Sequence, residues 1–471
     1  MRVLEGLKPE RVFHFFEDIC SIPHGSGNTD KISNYCVDFA KANNLEYYKD
    51  EYNNVIIYKN ASKGYESHDT VILQGHLDMV CEKDADVKID FLKDGLDITV
   101  DGDFVRANGT TLGGDNGIAV AMALAILEDN SISHPPIEAL FTTDEETGMF
   151  GAIGLDASHL KGKKLINIDS EEEGILTVGC AGGARVDIGL NLIASGTKMP
   201  CFKITLGGLK GGHSGAEIDK GRLNSNILMG KFLNSLPFNY SIGNINGGQK
   251  DNAIPRETTA FVFADGNLSS CAEKFVKENT VSTDDGLFIK IEPASYSKCY
   301  DEESSKKIAG LLSSLPNGIV SMSPDIEGLV QTSLNLGVLK LNTLNKLSLT
   351  IAARSSANNE KYELLDKLEK IAKSFGCTFN SHSHYPAWEY RKISPLRDTM
   401  ADVYEKMFGK KTVIAAIHAG LECGLFCDKI EGLDTVSFGP NLYDIHTSRE
   451  RLSISSIERT YKYLLAVLKA L

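Results

Sequence analysis

The sequence predicts an α/β protein, and two patterns in its 471 residues carry that prediction. In residues 10–180, short apolar runs bounded by turn residues or charges alternate with longer segments of helical spacing. Strands that alternate with helices form mostly parallel sheets with helices on their faces. Residues 200–375 differ, because strand pairs there are followed by helices in an order that occurs twice. We therefore expect a mostly parallel sheet flanked by helices, interrupted by an α+β insertion.

The alternating part supplies the elements of the predicted parallel sheet. Helical spacing occurs at 10–19 and 29–42, and a strongly apolar helix at 117–129 follows a glycine turn. Four apolar runs fit buried strands, at 53–58 (NNVIIY), 70–76 (TVILQGH), 137–144 (IEALFTTD) and 164–170 (KLINIDS). The alternation of helices and strands resumes near the end of the sequence, with a helix at 394–408, the strand 435–440 (TVSFGP) and a helix at 456–470. These segments predict one domain built from residues 1–185 and 386–471.

In the middle of the chain, the same order of predicted strands and helices occurs twice. Residues 200–290 show a strand, a helix, a strand pair and a helix, and residues 287–375 show the same order at nearly equal length. One helix in each half ends alike, with NSLP at 234–237 and SSLP at 313–316. Chance similarity is the alternative, because βαββα units are common. We expect an insertion over 186–385 made of two βαββα-like halves.

Composition and charge exclude several classes of protein. Hydrophobic residues make up 42% and charged residues 24% of the chain, as in ordinary globular proteins. The formal net charge of −14 argues against nucleic acid or an anionic membrane as a partner. No apolar run approaches the ~18 residues of a membrane helix, and the first residues lack a secretory signal pattern. With ten scattered cysteines and no CxxC, we expect free thiols and a cytoplasmic location.

Histidine and carboxylate side chains stand where the predicted strands end. His76 and Asp78 are two residues apart, so in an extended segment they would point the same way. Taken singly, such residues are more often helix caps or solvated turns. Together they gather at one edge of the sheet, the edge where open α/β sheets bind ligands. The set comprises His76, Asp78, Asp115, Glu145, Glu146 and Asp169.

This collection of side chains predicts a metal site. So many carboxylates in one crevice repel one another unless cations neutralise them. Imidazole mixed with carboxylates suits zinc or a related divalent ion. The set is too large for one tetrahedral zinc and fits two ions. We therefore expect a dinuclear centre with zinc favoured, and manganese or cobalt as alternatives because both accept the same ligands.

Nine motifs resemble those of a known family, the zinc aminopeptidases and amidohydrolases that include carnosinases, aminoacylases and carboxypeptidase G. They extend in family order from residue 75 to 450: GHLDMV, TLGGDNGIA, TTDEETGMFGA, NIDSEEEG, GGHSG, NAIPRE, AARSS, HAGLECG and YDIHTSRE. Within the family, the motifs are most similar to those of enzymes that cleave Xaa-His dipeptides. The alternatives are a related N-acyl amino acid deacylase and a non-enzymatic metal-binding or scaffold protein. An inactive relative should first lose Glu145 or a ligand, and all are present.

The resemblance implies a ligand set for two metal ions in a catalytic domain. His76 and Asp169 would bind one ion, Glu146 and His446 the other, and Asp115 would bridge them. The resemblance also implies a cis peptide bond after Asp115. None of these five ligand positions is substituted.

The remaining motif residues would act on the substrate, a small dipeptide. Asp78 would accept the second N–H of the His76 imidazole, Glu145 would be the general base, and His213 of GGHSG would stabilise the oxyanion. Further contacts are expected from three residues: Arg354 with the terminal carboxylate, Asn252 as a polar contact, and Glu422 with the free α-amino group.

The doubled insertion is expected to act as a lid. In relatives with a single-unit insertion, a second subunit lends its lid histidine to the neighbouring site. Here the insertion is about twice that length, so we expect its second half to replace the partner and His213 to serve its own chain. The protein would be a monomer or a homodimer, with no dimer required for catalysis. His382 and His384 have strand spacing, but we expect a polar loop there and no metal.

Overall fold

The structure, a computed structural model, describes residues 2–471. These residues form two compact units. The first contains the chain up to Val178 together with Tyr390–Ala416 and Leu421–Leu471, and the second contains Gly179–Glu389 and Ile417–Gly420. The predicted insertion 186–385 lies within the second unit. Residues 417–420, which the sequence assigned to the first domain, group with the second unit as well.

In residues 2–471, nine helices lie close to where the sequence predicted them, and two short ones, Phe150–Gly154 and Cys423–Lys429, were not predicted. Within the described residues they are α1 (Glu10–Ser21), α2 (Asp30–Ala42), α3 (Gly114–Glu128), α4 (Phe150–Gly154), α5 (Ser225–Asn234), α6 (Leu268–Asn279), α7 (Glu302–Ser314), α8 (Asn358–Ser374), α9 (Pro395–Phe408), α10 (Cys423–Lys429) and α11 (Ile454–Ala470). No helix in residues 2–471 has the length and apolar character needed to cross a membrane.

The strands fall into three groups along the chain. The first group is β1 (Glu46–Lys49), β2 (Val55–Lys59), β3 (Val71–His76), β4 (Ile98–Asp101), β5 (Phe104–Ala107), β6 (Ile137–Thr142), β7 (Lys164–Asn167) and β8 (Ile175–Cys180). The second is β9 (Gly182–Asn191), β10 (Ala194–Ser195), β11 (Cys201–Gly207), β12 (Gly212–His213), β13 (Tyr240–Gly247), β14 (Ala253–Ile254), β15 (Thr258–Ala264), β16 (Phe288–Ala294), β17 (Cys299–Tyr300), β18 (Gly318–Met322), β19 (Val330–Leu341), β20 (Lys346–Ser355) and β21 (Thr378–Tyr385). The third is β22 (Val413–Ile417), β23 (Asp434–Ser437), β24 (Leu442–Tyr443) and β25 (Arg451–Ser453).

Several helix ends follow from local sequence chemistry. The side chain of Asp301 accepts the N–H of Ser304 and so caps the start of α7. Ser394 caps α9 in the same way, and Pro395 occupies the first helical position, where its missing N–H costs nothing. Gly409 ends α9 in the left-handed conformation (φ 69°) that glycine adopts readily.

The first unit contains the predicted α/β sheet. Its strand order is β1-β2-β6-β3-β7-β23-β8-β22, and the central strands β6, β3, β7 and β23 run parallel. The flanking pairs β1/β2, β2/β6 and β23/β8 are antiparallel. Helix α3 is buried over nearly its whole length and packs on α1 and β3, as expected for a helix that is apolar on every side. The predicted α/β fold is confirmed. A small sheet, β24-β25-β5-β4, was not predicted.

The second unit is built on an antiparallel sheet. Its order is β16-β11-β15-β13-β19-β20-β9-β21, with β18 also paired to β19. Outward from the central pair β13/β19, one side contains β15, β11 and β16, and the other contains β20, β9 and β21. The apolar faces of α5, α6, α7 and α8 contribute to one buried core with the sheet.

One strand of this sheet pairs differently from the predicted halves. The sequence placed the strand LFIKIEP at the start of the second half, whereas β16 pairs with β11 at the edge of the first half. The corresponding position beside β20 is taken by β9, which comes before both predicted halves. A strand–helix pattern gives the order of elements but not the edge to which a strand adds, because antiparallel pairing is decided by contacts far apart in sequence.

Candidate metal centre

Three loops of the first unit begin at one edge of its sheet. Strands β6, β3 and β7 lie side by side and run parallel, so their carboxyl ends meet at the same edge. His76 is the last residue of β3, Glu145 and Glu146 follow β6, and Asp169 follows β7. These four side chains, which come from the ends of three neighbouring strands, therefore lie on one side of the unit.

Asp115 reaches this edge from the turn before α3. Gly113 is left-handed (φ 66°), Asp115 and Asn116 have non-helical backbones, and the peptide bond between them is cis, as the resemblance implied. The Asn116 amide donates to the carbonyl of Ile168 at 2.7 Å, and its oxygen accepts the N–H of His76 at 3.2 Å. Asn116, to which the sequence assigned no role, thus ties the end of β3 to the residue before Asp169.

The two carboxylate oxygens of Asp115 face two different groups. Oδ1 lies 3.2 Å from Nε2 of His76, which is 3.6 Å from Oδ1 of Asp169. Oδ2 lies 3.2 Å from Nε2 of His446, which is 2.9 Å from Oε1 of Glu146. Hydrogen bonds that the His446 ring donates to the carboxylates of Asp115 and Glu146 raise the pKa of His446 to about 11. One donor atom from each of His76, Asp115 and Glu146 lies within 4.8 Å of the others.

Burial raises the pKa values of several carboxyl groups around this cluster. It raises the pKa of Asp169 to about 6 and that of Glu145 well above its ordinary value. The same cause raises the pKa values of Glu171, Glu422 and Glu450 to about 7 each. Buried carboxylates this close together oppose one another's charge, and a divalent cation is the group that reverses such shifts. The donor set therefore fits metal ions.

Asp78 contacts more than the imidazole. The nearest acceptor for Nδ1 of His76 is the main-chain carbonyl of Asp78 at 3.0 Å, while the carboxylate Oδ1 lies 3.5 Å away. Oδ1 instead accepts the N–H of Glu145 at 3.0 Å. Oδ2 accepts the hydroxyl of Ser26 at 2.8 Å and the N–H of Glu146 at 3.4 Å. The carboxylate thus holds the loop that carries both glutamates, a contact that the sequence did not predict.

Glu422 lies inside the first unit. Its side chain has no exposed surface, and Oε2 accepts hydrogen bonds from Gln74 and Thr142, both at 2.7 Å. Oε1 is buried without a hydrogen-bond partner in the described part of the chain. Gln74 stands two residues before the end of β3, so this network lies beneath the strand ends. The expected contact between Glu422 and a substrate amino group stays a prediction.

His213 of the second unit has a defined tautomer. Its Nδ1 accepts the N–H groups of Gly215 at 3.2 Å and Ala216 at 3.0 Å, so the ring proton belongs on Nε2. Burial and the nearby Arg354 lower the pKa of His213, which favours the neutral ring. Asn252 is exposed, and its main-chain carbonyl accepts the N–H of Ser214 beside His213.

Arg354 belongs to a row of residues that crosses the sheet of the second unit. Ser333, Arg354, Gly183 and Tyr385 are direct partners on β19, β20, β9 and β21. Gly183 leaves room for the Tyr385 ring, because a Cβ there would lie 2.5 Å from it. The Tyr385 hydroxyl accepts a hydrogen bond from Nη1 of Arg354 at 3.2 Å, and Ser333 contacts Nε2 of His418 at 2.6 Å. No carboxylate in the described residues forms an ion pair with Arg354, whose Nε is buried without a partner.

The two histidines for which the sequence predicted a polar loop lie in an edge strand. His382 and His384 belong to β21, so the expected polar loop is wrong. His382 contacts Asp187 and Ser383, each at 3.0 Å, and His384 contacts Ser381 at 3.2 Å.

Comparison with known proteins agrees with this architecture. The sequence model of "Peptidase family M20/M25/M40" matches residues 72–470. The chain belongs to peptidase family M20/M25/M40. It is 37% identical over 483 aligned positions to the cytosol non-specific dipeptidase of Escherichia coli (strain K12), covering 100% of this chain and 99% of that protein.

Two solved structures are also similar to this chain. Aminoacylhistidine dipeptidase from Vibrio alginolyticus superposes with a TM-score of 0.92 at 36% identity, covering 99% of this chain and 98% of that one. Aminopeptidase PepT from Bacillus cereus matches at a TM-score of 0.58 and 15% identity over 98% and 99% of the chains, which shows the fold alone.

The motifs and strand ends pointed to most of the charged residues of this site, but not to Glu450 or to most of the uncharged residues around it. Ser26, Asn116 and Tyr385 contact a predicted site residue directly. Ser333 is the sheet partner of Arg354, and His418 contacts Ser333. The sequence pattern could have indicated Ser26, because this serine stands between two glycines after a predicted helix. Asn116, Ser333 and Tyr385 lie in segments with the pattern of an ordinary helix start or strand, whereas His418 directly follows β22 and begins the HAGLECG motif.

Proposed function

We propose that this chain is a metal-dependent dipeptidase whose active centre is the cluster around Asp115. One observation carries the proposal: each Asp115 oxygen faces a separate imidazole–carboxylate pair, His76 with Asp169 and His446 with Glu146. A carboxylate shared between two such pairs suits two ions. Two relatives aligned over nearly their whole length carry the names of dipeptidases, which supports the same activity here.

The five residues of this cluster would hold two divalent ions. When bound, such ions lower the pKa of a water molecule and polarise a substrate carbonyl. Zinc is favoured by the mixed imidazole and carboxylate donors, with manganese and cobalt as alternatives. His76 can offer Nε2 as a ligand, because its Nδ1 faces the main-chain carbonyl of Asp78 and carries the proton.

Glu145 lies beside the cluster, and we assign no ion to its carboxylate. As general base it would take the proton of the attacking water at a carboxylate oxygen, and afterwards deliver that proton to the leaving amine. A carboxyl group whose pKa is raised by burial suits this exchange. Asp78 would keep the base in place through the N–H of Glu145.

The second unit would bind the substrate and cover it as a lid. His213, with its proton on Nε2, would donate to the oxyanion, while Arg354 would pair with the terminal carboxylate through its guanidinium. Asn252, exposed next to His213, would add a polar contact. Covering the site would exclude water from the reaction. We propose that His213 serves its own chain, whether the protein is monomeric or dimeric, and that the enzyme acts in the cytoplasm.

A substrate panel tests the proposed activity. Metal-stripped protein should be inactive, and adding zinc, manganese or cobalt should restore hydrolysis of β-Ala-His, Gly-His and dipeptides without histidine. One relative is named non-specific and the other aminoacylhistidine dipeptidase, so rates across the panel decide how strongly the chain prefers Xaa-His. Hydrolysis of N-acetyl amino acids alone would assign the chain to the deacylases. No metal-dependent hydrolysis of any of these compounds would refute the proposal.

A further inference from the structure

Glu450 is a buried carboxylate that contacts the turn carrying Asp115. Its side chain accepts main-chain N–H groups from four consecutive residues. Oε2 bonds to Leu112 at 2.7 Å and Gly113 at 3.2 Å, and Oε1 bonds to Gly114 at 2.8 Å and Asp115 at 3.3 Å. Only 3% of the residue is exposed, so these bonds are shielded from competing water.

The turn is shaped around this carboxylate. Successive N–H groups at the start of a helix converge on one point and favour a negative group there. Gly113 adopts a left-handed conformation (φ 66°) that few other residues reach without strain. A Cβ at Gly114 would lie 3.2 Å from Oε1 of Glu450. The two glycines therefore let the backbone close on Glu450, and the carboxylate sets the direction in which Asp115 leaves the turn.

Glu450 also belongs to the segment that carries His446. Its own N–H donates to the carbonyl of Thr447 at 3.1 Å, one residue after His446. Immediately after Glu450, β25 pairs with β24 and β5 and fixes the segment in the small sheet. One residue thus connects a loop near the carboxyl end of the chain to a turn 335 positions earlier. Oδ2 of Asp115 lies 3.2 Å from Nε2 of His446 across that connection.

We propose that Glu450 is a positioning residue for metal binding, which holds Asp115 and His446 at the separation that a shared ion requires. This inference rests on the proposed function, since it assumes that the cluster binds divalent ions. Glu450 itself would contact neither ion nor substrate. Its effect would pass through the backbone of residues 112–115 and through the 447–450 segment.

The chain offers a matched control in Glu138. This residue is also 3% exposed, and its carboxylate accepts the N–H groups of Lys161 at 2.9 and 3.0 Å and Gly162 at 3.0 Å. It stands on β6, four residues before the strand ends, and its carboxylate bonds to Lys161 and Gly162 rather than to residues 112–115 or 447–450. Replacing Glu138 with Gln therefore removes the same kind of buried charge–backbone contact without disturbing Asp115 or His446.

The test measures metal affinity, independently of turnover. Full-length wild type, Glu450→Gln and Glu138→Gln are stripped of metal and titrated with Zn²⁺ in competition with a chromophoric chelator, and thermal unfolding is recorded in parallel. Glu450→Gln should bind at least one ion roughly 10- to 100-fold more weakly, because an amide has one acceptor oxygen where the carboxylate has two. Glu138→Gln should lower the unfolding temperature and keep wild-type affinity. If Glu450→Gln does not fold, Glu450→Asp retains the charge with a shorter reach and should also weaken binding.

Two results overturn the inference, and they are distinguishable from failure of the proposed function. Wild-type affinity in the folded Glu450 variants would show that the residue does not position the ligands. An equal loss of affinity in Glu138→Gln would show that any buried contact of this kind affects binding through general stability. A wild-type chain that binds no divalent ion would refute the proposed function first, and this inference with it.

Discussion

Replacing Asp78 with Asn should slow turnover more than it weakens metal binding. The carboxylate holds the N–H groups of Glu145 and Glu146 and the hydroxyl of Ser26. The nearest acceptor for Nδ1 of His76 is the main-chain carbonyl of residue 78, which the substitution leaves in place. We therefore expect the glutamate loop to loosen while the imidazole keeps its orientation.

The size of the effect follows from the bonds that change. In Asp78→Asn, an amide oxygen in the place of Oδ1 would keep the bond from Glu145 as a neutral one, and the bond from the N–H of Glu146 would be lost. Hydrogen bonds to charged groups contribute about 1.5–3 kcal/mol and neutral ones about 0.5–1.5 kcal/mol. The weakened bond to Glu145 costs about 1–1.5 kcal/mol. The lost bond to Glu146 is long, at 3.4 Å, and is counted at the neutral value of about 0.5–1.5 kcal/mol, so the total is about 1.5–3 kcal/mol. Since roughly 1.4 kcal/mol is a factor of ten in rate, we expect kcat to fall roughly 10- to 100-fold.

The assay compares kcat on one dipeptide with metal affinity from chelator competition, and thermal unfolding confirms that each variant is folded. Ser26→Ala removes only the hydroxyl that donates to Oδ2 of Asp78. It should lower kcat by a smaller factor than Asp78→Asn, because the Asp78 carboxylate and both of its bonds to the glutamate loop stay in place. If Asp78→Asn loses metal affinity by the same factor as kcat, the carboxylate acts by placing the metal ligands and the selective effect on Glu145 is wrong.

Three further predictions address the other proposed roles. Glu145→Gln should nearly abolish turnover while both ions stay bound, and loss of metal in that variant would contradict the assignment of Glu145 as the base. Arg354→Lys should raise KM for free dipeptides by roughly 10- to 100-fold, because lysine lacks the bidentate fork; an equal increase for C-terminally amidated dipeptides would refute the carboxylate contact. Mixing inactive Glu145→Gln and His213→Ala chains should restore no activity, whereas restored activity would show that His213 acts across subunits.

The parts of the site that the sequence predicted are those fixed by short-range patterns. A buried parallel strand is a brief apolar run, so the histidine or carboxylate that follows it can be located within a residue or two. His76, Glu146 and Asp169 were found in this way. Asp115 followed from glycines before an apolar helix. His446 was identified only by resemblance, because nothing in its local pattern separates a ligand from a surface histidine.

The contacts that the sequence did not predict join residues far apart in the chain. Ser26 and Asp78 are 52 positions apart, and Ser333 and His418 are 85 positions apart. No periodicity connects such pairs, since they meet only when separate elements pack. The strands β4 and β5 were missed for a different reason: ITVD and FVRA are short and half polar, which resembles a loop.

The proposed metal ligands depend on acceptors that hold main-chain N–H groups of their loops. Asn116 accepts the N–H of His76, and Asp78 accepts those of Glu145 and Glu146. The donors are main-chain groups, so replacing a ligand side chain leaves these bonds intact, whereas replacing the acceptor removes them and leaves every ligand present. The backbone of Gly75 packs closely against the bond between Asn116 and His76, because a Cβ on Gly75 would lie 2.5 Å from the Asn116 oxygen. An M20 chain with all five ligands can therefore still lack an aligned centre.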